Sequence, residues 1–405
     1  MSARIALHSE VEPIKLPVKL RASGDREIDL QLTRFKPRGT LRGSAIILHG
    51  ATASSRTFIV PGDGSLTAYL TERGYDVWLL DWRGGKVVAD GGSVRLGDRD
   101  AFTMDAVAEH DIPEALRYVQ SIREREHTAG MPLHLIAHCF GAGCLAMSIA
   151  ANKLAPFPVT NVVLLTLGLF YVVPWDGFIK ADDFVIERVL GSAPDVMGIH
   201  PDAAAPRSRQ QRLSGKRPPR APGSPANVWP DEMEDAYEIW PRQLLPTCDD
   251  PLCHRVAFMF GHPYLEAQLA PGIHTRQELK QQFGSMPIAL YLHAGQNVRR
   301  GFAAPIDARD CTCLPNDEAS RQACSKHRYL QRAPFERHHV TLITGTENGI
   351  WHPDSIHRMH EHLMSGTARR SYKHVLRGYA HQDLLWGKHA ARDVFPLIEQ
   401  GMEKR

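Results

Sequence analysis

Residues 133–153 read LHLIAHCFGAGCLAMSIAANK. Leu133 to Ala137 is a short apolar run suited to a buried strand, and the stretch from Cys144 onward is compatible with a helix. Between them His138, Cys139, Phe140, Gly141, Ala142 and Gly143 leave room only for a sharp turn. A strand, a tight turn with one reactive side chain at its tip, and a helix form a nucleophile elbow, in which small flanking residues permit the strained backbone. The usual signature is G-x-S-x-G, and AHCFG departs from it twice, with Ala137 in place of the first glycine and the Cys139 thiol in place of a hydroxyl. Alanine is small enough to keep the geometry. A thiol at the N-terminal end of a helix faces free amides and the positive end of the dipole, so Cys139 is expected to have a lowered pKa and to act as a nucleophile. Most buried cysteines are simply packed as small hydrophobes; the elbow context outweighs that reading for Cys139, whereas Cys144 has no such setting and is assigned to the core.

Outward from this turn, short apolar strands alternate with amphipathic helices. Ile28 to Phe35, Ala45 to Leu48, Asp76 to Asp81, Leu133 to Ala137 and Asn161 to Leu167 read as strands, with Leu66 to Arg73 and Asp105 to Arg123 as helices between them. The alternation resumes with the strand Val340 to Thr344, the helix Ser355 to Met364, the strand Tyr372 to Leu376 and the helix Ala390 to Met402. This pattern predicts an α/β fold with a mostly parallel sheet covered on both faces. It divides the chain into a first core segment at 1–167, an inserted cap at 168–337 and a second core segment at 338–405. Within the cap, Ala203 to Pro230 holds six basic residues, six prolines and no acid, a composition expected of a flexible, solvated loop.

Three further parts of a catalytic site can be placed on this frame. In AIILHGATASSRTF an HG turn follows a strand, so the amide of Ala51 is a natural oxyanion donor, with the amide of Phe140 after the nucleophile as its partner. The base should follow the last strand, where His381 stands in a short loop after Gly378. The other histidines near the C-terminal region, His352, His357, His360 and His362, read as a solvated helix face or its approach. A third member should orient His381 from the loop after the previous strand, where the usual G-x-x-D becomes Gly345, Thr346, Glu347, Asn348. Asn348 and Glu347 are both candidates, because a one-residue shift in a loop is invisible to sequence, and Asp354 is a distant third. A Cys-His-Asn arrangement is chemically tolerable, since a thiol needs less deprotonating help than a hydroxyl.

The 405 residues suffice for a large core, and 43% hydrophobic with 23% charged residues is ordinary for a globular chain. A formal charge of +3 is too small to imply nucleic acid as partner. The start, MSARIALHSEVEPIK, has no apolar segment long enough for a signal peptide, and the longest apolar run, Val162 to Val173, falls short of a membrane span. With seven cysteines, an odd number, reduced thiols in the cytoplasm are the expectation. Cys248, Cys253 and His254, with Cys311, Cys313, Cys324 and His327, lack the paired spacing of common zinc sites, so no metal is expected. There is no G-x-G-x-x-G after a strand and no G-x-x-x-x-G-K-[ST], so no nucleotide cofactor is expected either.

With ILHGATASSRTF, GYDVWLLDWRGG, FTMDAVAEHDIPEAL, HLIAHCFGA and GYAHQDLLWGKHAARDVFP, the chain resembles the α/β-hydrolase superfamily near its acid-lipase branch. With CDDPLCHRVAFMFGHPY and GTENGIWHP added, it is more closely similar to the hydrolase-like region associated with cholesterol-oxidase-like glucose-methanol-choline oxidoreductases. The resemblance implies an eight-stranded sheet with a helical cap, in sequences where a cysteine at the elbow recurs. Polyhydroxyalkanoate synthases and dienelactone hydrolases resemble it in carrying an elbow cysteine, and the synthases transfer acyl groups. Asp81, Trp82, Arg83 and Gly84 resemble a family turn that braces the sheet. The expected activity is therefore that of an ester or thioester hydrolase acting on an apolar acyl substrate, LGLFYVVPWDGF suggesting the acyl pocket. The alternatives are an acyltransferase of the same mechanism, or a non-catalytic partner of a separate oxidoreductase.

Overall fold

A computed structural model describes residues 9–20, 24–91, 101–181, 251–308 and 325–405. The basic stretch 203–230 lies outside the described residues. Eight strands form one sheet: β1 (Ser9–Leu20), β2 (Gly24–Phe35), β3 (Gly43–Leu48), β4 (Tyr75–Asp81), β5 (Leu133–His138), β6 (Val159–Leu165), β7 (His339–Gly345) and β8 (Ser371–Leu376). Their order is β1-β2-β4-β3-β5-β6-β7-β8. β1 and β2 pair antiparallel, as do β2 and β4, and every later neighbour pair is parallel. All residues of β3, β4, β5 and β7 are buried, as strands covered on both faces must be.

β1 is absent from the sequence reading. Its Ile14, Leu16 and Val18 alternate inward, and Ile14 and Leu16 face Leu30 and Ile28 of β2. Pro13 and Pro17 share one parity, so both missing N–H groups fall on one side of the strand, which an edge strand tolerates.

The longer helices include α1 (Leu66–Glu72), α2 (Ile112–Arg125), α3 (Phe140–Ala150), α4 (Pro251–Phe260), α5 (Ile288–Arg300), α6 (Asp354–Met364) and α7 (Phe395–Met402). Every residue of α3 is buried, which its near-uniform apolar sequence requires. Between β6 and β7 the chain leaves the sheet, and the described part of this insertion includes α4 and α5. No helix among the described residues is long and apolar enough to cross a membrane.

The turn after β4 is braced from below. Arg83 is buried, and its guanidinium meets the Asp111 carboxylate with Nη2 2.6 Å from Oδ1, while its backbone N–H donates to Asp111 Oδ2 at 3.1 Å. Asp111 ends a single π-helical turn, Val107–Asp111, that leads into α2. Residues of this braced turn hold the loop after β3, where Thr52 N–H donates to Gly84 O at 3.3 Å and Lys86 N–H to Ala53 O at 2.8 Å. Asp81 supports the same loop by accepting the Ser55 amide at 2.8 Å and by lying 3.3 Å from His49 Nε2.

Two stability predictions follow from buried ionisable groups. Asp111→Ala strands a buried guanidinium, so urea unfolding is expected to show a loss of about 3–5 kcal/mol. Burial holds the imidazoles of His134, His138 and His338 down to about 4, against ~6.5 in an unfolded chain. As pH falls the unfolded chain takes up these protons first, so the stability they contribute is complete above about 6.5 and is lost toward pH 4. The urea midpoint should fall between pH 7 and 5, and His338→Gln should make that fall shallower.

Candidate active site

The parallel strands deliver their C-terminal ends to one edge of the sheet, where α/β folds place their ligands. Gly50 and Ala51 follow β3, Cys139 follows β5, Asn348 follows β7 and His381 follows β8. Cys139 has φ 58° and ψ −129°, a left-handed backbone at a non-glycine residue. Its N–H completes the ladder to Leu165 O at 3.0 Å, and its carbonyl already accepts from Ala142 and Gly143 at 2.9 and 3.1 Å to start α3. Serving as the last ladder residue and the first helix acceptor at once forces the turn, at a strain of about 1–3 kcal/mol. A strand, a residue with positive φ and a helix therefore follow one another at Cys139.

The Cys139 sulfur accepts from the indole N–H of Trp351 at 3.4 Å. The backbone amides of Ala51 and Phe140 also lie against it and favour its thiolate. Gly50 packs so close that a Cβ there would lie 2.9 Å from Cys139 Cβ, so the HG turn needs glycine at this point. Burial nevertheless outweighs these donors and pushes the thiol up to about 11. The expectation of a lowered thiol pKa is therefore reversed: the helix terminus is present, but the thiol is buried.

His381 is buried, and its Nδ1 lies 3.1 Å from Asn348 Oδ1. That oxygen also accepts the backbone N–H groups of Ile350 and Trp351, each at 3.1 Å. Two fixed donors identify this atom as the amide's oxygen, so His381 Nδ1 must carry the proton and Nε2 presents a lone pair. Of the two candidates, Asn348 reaches the ring, while Glu347 is exposed and its carboxylate accepts the Thr346 hydroxyl at 3.0 Å. The loops approach closely because Gly345 has no side chain: a Cβ there would lie 1.9 Å from Tyr379 O. Among the described residues no hydrogen bond joins the Cys139 sulfur to the His381 ring, a looseness common in unliganded sites.

Desolvation, then the neighbouring His138, holds the His381 imidazole well below the usual histidine range. The His138 and His381 rings lie 4.5 Å apart, and His138 Nε2 donates to His381 O at 3.2 Å. Asp383 accepts from Ala380 N at 2.9 Å and Leu265 N at 3.2 Å, with burial pushing its carboxyl up to about 6. Sequence reasoning missed Trp351, His138 and Asp383. His138 and Asp383 stand beside or near assigned residues, which was the available signal; Trp351 had only its place three residues beyond Asn348.

Cys248, Cys311, Cys313 and Cys324 lie outside the described residues. Cys253 Sγ lies 2.6 Å from the Tyr264 hydroxyl and 3.3 Å from His274 Nε2. Among the described residues no group of three His, Cys, Asp or Glu side chains could hold a metal ion.

No protein-family model and no curated protein matches the sequence. Solved structures do match. A lipase in its open form has a TM-score of 0.52 at 15% identity, with 98% of this chain and 100% of that one covered. A soluble variant of monoglyceride lipase from Saccharomyces cerevisiae, in complex with a substrate analog, has a TM-score of 0.54 at 13% identity over 99% and 96% of the two chains. With the eight-stranded, mostly parallel sheet, this likeness establishes the α/β-hydrolase fold.

The neutral partner at Nδ1 can be tested directly. Asn348→Asp places a carboxylate against the ring and should raise the midpoint of the His381 titration by about 1–3 pH units. Nitrogen-15 NMR of the ring, assigned with a His381 variant, would measure it; an unchanged midpoint would contradict the contact.

Proposed function

We propose that the chain is an ester or thioester hydrolase that acts on an apolar acyl substrate through an acyl-enzyme on Cys139. The observation that carries this reading is the conjunction at Cys139 of a strained turn, two backbone amides on the sulfur and an Asn348-oriented imidazole in the adjoining loop. Nothing in sheet packing requires these three together, whereas acyl transfer uses each.

Burial raises the thiol and lowers the imidazole, so both are neutral at rest. Cys139 then works in the manner of a serine enzyme, its proton passing from Sγ to His381 Nε2 as sulfur attacks the carbonyl carbon. The carbonyl electron pair moves onto oxygen, where the amides of Ala51 and Phe140 receive it. Collapse expels the alcohol or thiol, which takes the proton from His381. Water, deprotonated by the same imidazole, then attacks the thioester and releases the acid with the thiol restored. An acceptor alcohol or amine in place of water would make the same chemistry an acyl transfer.

The apolar acyl group is supported by buried Leu167, Leu169 and Tyr171, which leave β6 beside the site, and by Phe140 and Phe260, whose ring centroids are 6.5 Å apart. The two structural neighbours named above are lipases, which fits a lipid-like acyl chain. On this reading residues 168–337 act as a cap over a core made of 1–167 and 338–405, and the protein works in the cytoplasm without a bound metal or nucleotide. A non-catalytic partner of an oxidoreductase is the rival outcome, motivated by asparagine at the third triad position.

Intact mass after exposure to activated acyl esters and thioesters tests the reading. The wild type should gain one acyl group and Cys139→Ala none. Cys139→Ser should turn over at least about 10²-fold more slowly, because the hydroxyl is harder to ionise and the base has no carboxylate behind it. No acyl gain from any donor, together with full cellular function in Cys139→Ala, would leave the partner reading in its place.

A further inference from the structure

Three N–H groups surround the Cys139 sulfur: the amides of Ala51 and Phe140 and the indole of Trp351. The first two are the donors of the oxyanion site proposed above. The sulfur thus sits where a substrate oxygen has to go, and it makes no hydrogen bond to the imidazole that must take its proton. Attack requires the sulfur to turn away from these donors, and the donors it leaves behind include the indole.

We propose that Trp351 is a catalytic residue whose indole N–H is the third oxyanion donor, the substrate carbonyl oxygen replacing the sulfur among three donors as the sulfur turns to His381. This rests on the cysteine acyl-enzyme reading. An indole N–H can only donate, so toward sulfur or oxyanion it has one role. It is also held in place. Trp351 is 3% exposed, and its ring packs against Phe140 and Tyr171 with centroids 5.7 and 5.4 Å away. Its backbone N–H is bound by Asn348 Oδ1 at 3.1 Å, the atom that also orients His381. A donor pre-aimed in a buried site needs no reorganisation when charge develops, the condition under which such hydrogen bonds accelerate reaction most. The electron count is unchanged from the two-amide scheme: the Sγ–C bond forms, the carbonyl pair moves to oxygen, and the thiol proton goes to Nε2.

Unlike a backbone amide, this donor can be deleted. Trp351→Phe keeps a ring and removes the N–H, and kcat for an activated ester should fall about 10²- to 10³-fold with KM changed only a few-fold. Affinity for octanal, which adds to the thiol to give an oxyanion, should fall by a similar factor. Alkylation of Cys139 by iodoacetamide, which develops no oxyanion, should persist and shows that the site is assembled. Trp351→His, which retains a ring N–H, should recover part of kcat; if the phenylalanine variant does not fold, octanal affinity of the histidine variant within about 10-fold of wild type carries the test. Wild-type or faster turnover in folded Trp351→Phe would overturn the proposal and leave the indole as packing or as a clamp on the resting sulfur. A wild type that accepts neither acyl group nor aldehyde would overturn the cysteine reading itself, which is a different result.

Discussion

The side-chain oxygen of Asn348 accepts three N–H groups, and the candidate site is built around that atom. Two of the donors come from its own loop, Ile350 and Trp351, and curl the chain after β7 into a tight turn. The third is the ring of His381 from the loop after β8. One acceptor therefore sets the tautomer of His381, its orientation, and the position from which Trp351 reaches the sulfur. Nothing else among the described residues connects those three features so directly. The contact is possible only because Gly345 lets the two loops touch at Tyr379 O.

An amide in this position orients without charging. A carboxylate would stabilise an imidazolium, whereas Asn348 leaves the ring dependent on its surroundings, which are apolar and include a second imidazole. The same burial raises the thiol. Burial thus disfavours a thiolate–imidazolium ion pair from both sides. Such a site gives up the standing nucleophile of many cysteine enzymes. On the proposed mechanism it gains donors that act strongly on developing charge, because they are buried.

Much of this was legible in the sequence, for reasons that are local. The elbow at Cys139 could be read because a strand period gives way to a helix within six residues, and only a sharp turn fits between. The interruption of the sheet was legible because strand–helix alternation stops after β6 and resumes at β7. Asn348 and Glu347 could not be separated, since adjacent loop residues differ in direction, and direction depends on the hydrogen bonds of Ile350 and Trp351. β1 went unseen because Pro13 and Pro17 mark it as irregular, and only pairing along β2 makes an edge strand of it. The thiol's pKa was misjudged for a related reason. The helix terminus that lowers it is visible in the sequence; the burial that raises it depends on the folded packing around the thiol and is not.

Asp383 extends this dependence into the insertion. Its carboxylate accepts Ala380 N, one residue before the base, and Leu265 N, in the segment that follows α4. The backbone of Gln382 closes the same join by donating to Pro263 O at 2.6 Å. The loop that carries His381 is thus stitched to the insertion as firmly as to the sheet. α4 ends at Phe260, whose ring meets Phe140 at the first turn of α3, so the insertion touches both the loop that carries His381 and the helix that begins after Cys139. A movement of 251–265 would shift the base relative to the sulfur. No hydrogen bond joins the Cys139 sulfur and the His381 ring, so the place of that ring rests on Asn348 and on these backbone contacts to 263–265.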